Sequence, residues 1–486
     1  MSALLLIALC VPPLLSAAAA LVFPRAPRRA SWINAITMPV SLGAAIALAW
    51  RQSGADASND AWLVFRVDAL SALLALLVAG VATLAAWLGP GLSARETVPA
   101  GEIRTFRIYA NAFAATMLFA VTASNLGLMW VAIEASAVAS ALLIPVHRSK
   151  ASIEASWKYL LIGSVGIALA FTGTVLAFVD YTATGGQAEA ALNWSTLRAA
   201  APLLHPEVMR LAFVFLLVGF GTKAGLVPMH TWLPDAHSEA PAPLSAMMSG
   251  VLLAVALYAL ARWKIIVDVS VGPGFSGGLL LTVALATILI GSLSLATQRQ
   301  YKRLLAYSSI EHTGLACFGL ALGPIGVVPA LLHLTGHALA KSTAFLLSGR
   351  MLDRYRTQDM TETSGVLTAL PATGALFGAS VLALVGFPPF SLFLSEVLLI
   401  RAGWLAGYPV LTIGVLILML IAFGSLLYHL QRMLLGDAPA TVPVGERTGV
   451  AVALLAVPLA VLVWLGVWMP ASVQALLERA AQVLYP

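Results

Sequence analysis

The sequence predicts an all-α polytopic membrane protein, and three observations lead there. Hydrophobic residues make up 60% of the chain and charged residues 10%, against about 25% charged in soluble domains, so a water-facing surface cannot be covered. Mostly apolar runs of the ~20 residues needed to cross a bilayer recur along the 486 residues. The runs are continuous rather than alternating, which argues against a β-barrel. Helices also satisfy every backbone N–H and C=O within the segment.

Breaks at charges and at Pro/Gly clusters divide the chain into about fourteen spans, at 2–23, 31–50, 68–90, 106–124, 126–146, 157–180, 211–229, 242–261, 275–296, 304–322, 327–349, 366–396, 404–430 and 449–469. The break between the fourth and fifth rests only on Ser124, Asn125 and Gly127. The first run reads as a span rather than a cleaved leader, because RAPRR follows it and no basic segment precedes it. Of the 27 Lys and Arg residues, seventeen fall in odd-numbered loops and eight in even-numbered loops and the tail. The other two, Lys223 and Lys341, lie inside spans. This alternation supports the span count and predicts both termini on the outer side of a bacterial-type inner membrane. The net charge of +6 is therefore topological, and no nucleic-acid partner is expected.

Cys10 and Cys317 share no short spacing, so neither a disulfide framework nor an iron–sulfur site is expected. GPGFSG (272–277) fits a dinucleotide pattern but precedes a span and follows no strand. GFGTKAG (219–225) has the wrong spacing for a phosphate-binding loop. No cofactor and no metal are expected in this chain.

A Lys or Glu at mid-span costs about 2.5–3.5 kcal/mol and needs a partner or a wet cavity. Such residues are few: Glu134, Lys223, Glu311, His312, His333, His337, Lys341 and Glu396. In HLTGHALAK, His333, His337 and Lys341 stand at i, i+4 and i+8 on one helix face, about 6 Å apart, a spacing suited to proton relay through single waters. Two spans are interrupted by proline, the seventh at Pro228 and the twelfth at Pro388 and Pro389. Freed carbonyls at depth are tolerated where they line a cavity, and interruptions at corresponding positions mark transporter repeats. The breaks lie five spans apart, which predicts two inverted five-helix repeats with broken helices 7 and 12. The chain then divides into 1–105 (helices 1–3), 106–262 (first repeat), 275–433 (second repeat) and 449–486 (helix 14 and tail).

KAGLVPMHTWLPDAHSEAPAPLSAMMSGVLL (223–253) and YKRLLAYSSIEHTG (301–314) resemble the antiporter-like subunits of complex I, Mrp-type cation/proton antiporters and membrane-bound hydrogenases. HSEAPAPLSAMMSG and SSIEHTG are most similar to the hydrogenase-4 component F branch. The resemblance covers nearly the whole chain and implies an ion path of charged side chains along the membrane mid-plane. It implies that Glu134 is the fifth-helix glutamate and Lys223 its broken-helix partner. His333, His337 and Lys341 match the stretch that carries the central lysine, and Glu396 the terminal residue of the twelfth helix. His230, Asp235 and His237 fall in the linker after the seventh helix, either as a rigid turn capping the next helix or as a proton-uptake group. One departure stands out: Ala254 occupies the place of an eighth-helix lysine, and Lys264 lies too near the membrane edge to replace it. A link from Lys223 would then use neutral groups such as Ser245 and Ser249.

The resemblance thus implies a proton-translocating membrane subunit of a respiratory-type oxidoreductase complex. Its partners are other membrane subunits and hydrophilic redox subunits, with lipid around it and protons as cargo. Two alternatives remain: an Mrp-type cation/proton antiporter subunit, or a structural membrane subunit with an incomplete path.

Overall fold

The computed structural model describes residues 2–54, 60–92, 98–446 and 449–485. Arg95 and Arg447, two of the basic residues counted in odd-numbered loops, lie outside them.

The first third of the chain is α1 (Ser2–Val22), α2 (Pro27–Ser53), a short antiparallel hairpin of β1 (Asp60–Trp62) and β2 (Phe65–Val67), then α3 (Ala69–Leu88), α4 (Ala100–Thr122), α5 (Leu126–Ala141) and α6 (Lys150–Ala183). There follow α7 (Trp194–Ala200), α8 (Pro206–Ala224), α9 (Trp232–Glu239), α10 (Ala242–Met247), a π-helical turn at Met248–Leu252, and α11 (Leu253–Val271). The remainder is α12 (Pro273–Leu295), α13 (Tyr301–Ala321), α14 (Pro324–Tyr355), α15 (Val366–Ala369), α16 (Pro371–Leu384), α17 (Ser391–Leu405), α18 (Pro409–Leu434), α19 (Val450–Val467) and α20 (Ala471–Leu484).

Eight of these helices are long and apolar enough to cross a membrane: α1, α2, α3, α6, α10 through α11, α12, α18 and α19. The other predicted spans fall on α4, α5, α8, α13, α14 and the pair α16–α17. These are short, interrupted, or rich in the ionisable and polar side chains that the site uses. Burial sorts the helices radially. In α10–α11 all of the most apolar stretch is buried and in α3 89%, against 22% in α18. Exposed Val410, Leu420 and Trp404 face outward, as lipid-facing positions do. At the centre α14 packs against α13, α10, α16, α17, α19 and α20.

Local chemistry sets the helix ends. The weak break after the fourth span is real: the Asn125 carboxamide caps α5 by accepting from Gly127 and Leu128 N–H. Asp68 caps α3 through Ser71 N–H, and Ser149 caps α6 through Ser152 N–H. α8 stops because Gly225 takes the left-handed conformation (φ 72°) and returns its N–H to the last turn.

Three expectations need correction. The twelfth span does not end at 396: its second half, α17, runs to Leu405, and the next helix begins at Pro409. Arg401 reads as a loop charge in sequence, yet it sits exposed on α17, where a long side chain can reach the interface. Asp235 and His237 do not lie in a linker, because α9 holds both, with Pro234 tolerated in its first turn. The tail folds as α20, an amphipathic helix laid on α2, α3 and α14.

Candidate functional site

Lys223 occupies the last turn of α8, where the unpaired carbonyls and the negative end of the helix dipole favour a cation. Its ammonium is fully buried, 3.7 Å from Glu134 Oε2 on α5 and 5.3 Å from the ring centroid of Tyr159 on α6. Ser164 donates to the other Glu134 oxygen at 3.2 Å. Neither Lys223 Nζ nor Glu134 Oε2 has a hydrogen-bond partner within the chain, so the two charges attract without being locked together. Gly163 on α6 makes room, since a Cβ there would stand 2.7 Å from Nζ. The Tyr159 ring is fixed from both ends, by a 2.8 Å hydrogen bond to Ser140 and by packing on Trp232.

Beyond the first break, the π-turn carries Ser249 against Ser309 of α13, 2.7 Å between hydroxyls. Ser309 donates to the Leu305 carbonyl at 2.9 Å, and Lys341 Nζ donates to the same carbonyl at 2.8 Å. Ser249 therefore reaches Lys341 through two hydrogen-bonded groups, although Ala254 is apolar. Ser245 instead donates to the His237 carbonyl at 3.3 Å. Lys264 is engaged elsewhere, donating to Asp268 at 2.5 Å and to the Tyr485 hydroxyl at 2.9 Å.

His333, His337 and Lys341 share one buried face of α14. His312 of α13 stands beside both histidines, with ring centroids 5.1 Å from His333 and 5.2 Å from His337. His312 Nδ1 and His333 Nε2 are 3.0 Å apart, and His333 Nδ1 meets Ser395 Oγ of α17 at 3.0 Å. Glu311 Oε2 lies 3.8 Å from His312 Nε2. Glu396 folds back over the second break, where Gly386 (φ 65°) leaves no space for a Cβ beside the carboxylate. A cavity of about 360 Å³ among α13, α16, α17 and α18 is lined by both Glu311 and Glu396.

The three residues after the first break separate. Asp235 pairs with Arg303 at 2.5 Å and Lys158 at 3.3 Å, tying α9 to α13 and α6. His237 is fully buried, stacked on Phe345 at 4.7 Å, and neither ring nitrogen has a partner in the chain. His230 sits partly exposed in the break. Lys302 is buried with Nζ donating to the Ala240 carbonyl at 2.8 Å. It forms part of the wall of an 820 Å³ cavity that also holds Glu102, His147 and Asp353.

The groups that sequence reasoning left out of the site are Glu311, His312, Ser309, Ser395 and Lys302. SSIEHTG carried a signal for the first two, an adjacent acid and imidazole inside an apolar helix. Ser309 and Ser395 carried none, since a serine in a helix is ordinary.

Residues 123–422 match the family described as NADH:quinone oxidoreductase/Mrp antiporter, transmembrane. A hydrogenase-4 component F homologue of Methylacidiphilum infernorum is 34% identical over 87% of this chain and 90% of its own length. Subunit N of the NADH-quinone oxidoreductase of Desulforudis audaxviator is 32% identical over 84% of this chain and 82% of its own. A chain of the Mrp complex from Dietzia sp. DQ12-45-1b superposes with a TM-score of 0.86 at 24% identity, covering 100% of this chain and 97% of that one, a likeness of fold.

Proposed function

Because this chain belongs to the NADH:quinone oxidoreductase/Mrp antiporter family and is an antiporter-like, multi-pass membrane subunit, we propose that it carries protons through the buried groups described above. The observation that carries the reading is the Glu134–Lys223 pair, 3.7 Å apart at a helix break, together with buried ionisable groups on α13, α14 and α17. While the pair is closed, Glu134 holds the proton on Lys223. When the pair opens, the desolvated ammonium gives its proton towards Ser249 and Ser309, and water carries it on to Lys341, because the Leu305 carbonyl between them accepts from both and passes no proton itself. From Lys341 the proton passes by His337, His312 and His333 to Glu396 and the cavity beside it. His237 and the cavity at Lys302 serve uptake from the side of the odd-numbered loops, while Asp235 is a clamp between helices. No redox chemistry is assigned to this chain, so the drive comes from partner subunits with redox centres of their own.

The same reading has fourteen spans, with α8–α9 and α16–α17 as the seventh and twelfth, and repeats at 106–262 and 275–433 related by inversion. It places the chain in a bacterial-type inner membrane with both termini outside, supported by the alternation of basic loops. A second reading, a cation/proton antiporter subunit, is favoured by Glu311 and Glu396 lining one cavity, since sodium needs oxygen ligands.

The test is proton uptake by liposomes carrying either the purified chain or the assembled complex. Uptake only in the complex under redox turnover, lost in Lys223→Ala, is the expected result. Sodium-for-proton exchange by the chain alone transfers the assignment to the second reading.

A further inference from the structure

We infer that His312, His333 and Glu396 form a binding site for a divalent transition-metal ion of the zinc class. They come from three helices, α13, α14 and α17, and one ligand atom of each lies within 4.8 Å of the other two. No sequence spacing could flag the set, because its members stand 21 and 63 positions apart.

The hydrogen-bond pattern orients the donors. Ser395 Oγ gives its hydrogen to the Leu392 carbonyl at 2.7 Å, so towards His333 it accepts, and His333 carries its proton on Nδ1. His333 Nε2 is then a bare lone pair aimed at His312 Nδ1, 3.0 Å away. At present one proton fills that gap. A tetrahedral zinc ion with Zn–N bonds of about 2.0–2.1 Å sets its nitrogens about 3.3 Å apart, so to replace the proton the nitrogens part by roughly 0.3 Å and each ring turns by about 35° to aim its lone pair at the ion. The Glu396 oxygen, within 4.8 Å of a nitrogen of each ring, has to close to about 3.3 Å, the reach of a side-chain rotation. To ligate through Nδ1, His312 must hold its proton on Nε2. That atom has no hydrogen-bond partner, and it faces the Glu311 carboxylate at 3.8 Å. His333 thus has the hydrogen-bonded oxygen behind its second nitrogen that orients metal-binding histidines, and for His312 the Glu311 carboxylate 3.8 Å away is the nearby acceptor that a small shift would engage.

Charge and donor type select the ion. A divalent ion with Glu396 and Glu311 makes a neutral group, which a buried site needs. Two imidazoles and one carboxylate suit zinc, cobalt or nickel, whereas magnesium, calcium and sodium prefer oxygen alone. The 360 Å³ cavity against Glu396 and Glu311 has room for a water as fourth ligand. The ion would occupy lone pairs that a proton relay needs. Inhibition of flux by zinc therefore rests on the proposed function, whereas binding does not.

The experiment is titration of the metal-stripped full chain, in detergent or nanodiscs, with cobalt(II). The expected result is one cobalt per chain with the visible absorption of a low-coordinate site, displaced by zinc. Binding should weaken at least tenfold in Glu396→Gln and in His333→Ala, and stay unchanged in His429→Ala. X-ray absorption on the zinc-loaded wild-type chain should count two imidazoles, a readout that needs no variant to fold. A zinc shell with fewer than two imidazoles, or cobalt binding equal in Glu396→Gln and wild type, overturns the proposal. Loss of transport with binding intact bears on the proposed function alone.

Discussion

Replacing Glu134 by Gln keeps the size of the side chain and removes its charge, so it isolates the attraction that holds Lys223. At 3.7 Å two unit charges attract by about 4.5 kcal/mol at an effective dielectric near 20. Lys223 is fully buried but Glu134 is 24% exposed, so screening leaves roughly half of that, about 2 kcal/mol. Without the charge, the ammonium retains only the Tyr159 face and the end of the α8 dipole. If flux depends on loading this lysine, about 2 kcal/mol corresponds to a loss of about thirtyfold. The assay is dye-reported proton uptake by proteoliposomes of the assembled complex, with redox turnover followed in the same sample. Adding Lys223→Met to Glu134→Gln should cost less than a further twofold, because the pair acts as a unit. Pumping by Glu134→Gln within twofold of wild type at equal turnover refutes the reasoning.

Other perturbations separate transport from structure. Gly163→Ala places a methyl 2.7 Å from Lys223 Nζ and should lower pumping about tenfold by displacing the ammonium, while the melting temperature of the purified chain stays within a few degrees. Ser249→Ala breaks the 2.7 Å link to Ser309; a hydrogen bond of about 1 kcal/mol predicts roughly fivefold lower flux, and unchanged flux removes this serine from the path. Asp235→Asn weakens two partly exposed ion pairs worth about 0.2–1 kcal/mol each. It should lower thermal stability slightly and leave pumping within twofold, and a tenfold loss of pumping would instead assign Asp235 to proton uptake. In the segment after α18, outside the membrane, burial would raise the Glu446 pKa, but hydrogen bonds from Thr373 and Arg350 outweigh it and hold the pKa below the usual value. Its contribution is therefore complete above the ordinary glutamate pKa and disappears as pH falls through the lowered one. Cleavage within 435–446 by a protease active on both sides of that range, normalised to an unstructured peptide of the same sequence, should accelerate on acidification for wild type, whereas Glu446→Gln should be cleaved quickly throughout; identical profiles for the two contradict this role of Glu446.

Much of the membrane architecture was legible because lipid leaves few options for an apolar chain. Proline at 228 and at 388–389 marked both breaks, and the Glu134–Lys223 pairing followed from the resemblance, the two groups standing 3.7 Å apart. What was misread has local causes. Arg401 looked like a loop charge because sequence does not reveal which side of a helix a long side chain leaves from. Asp235 and His237 looked like linker because proline usually ends a helix, although it is tolerated in a first turn. Periodicity brought out the α14 groups, but His312 and Ser395, which enter from α13 and α17, were not picked up with them, since only tertiary packing creates that convergence. Ala254 looked like a gap, and the serine link beside it depends on a π-turn that has no sequence signature.

The claim that protons cross this chain is tested most directly by the ratio of protons translocated to electrons transferred in the assembled complex carrying Lys341→Met. Lys341 is fully buried, its ammonium resting on the Leu305 carbonyl. The account predicts a lower ratio with electron transfer still running. An unchanged ratio in a correctly assembled complex would contradict it.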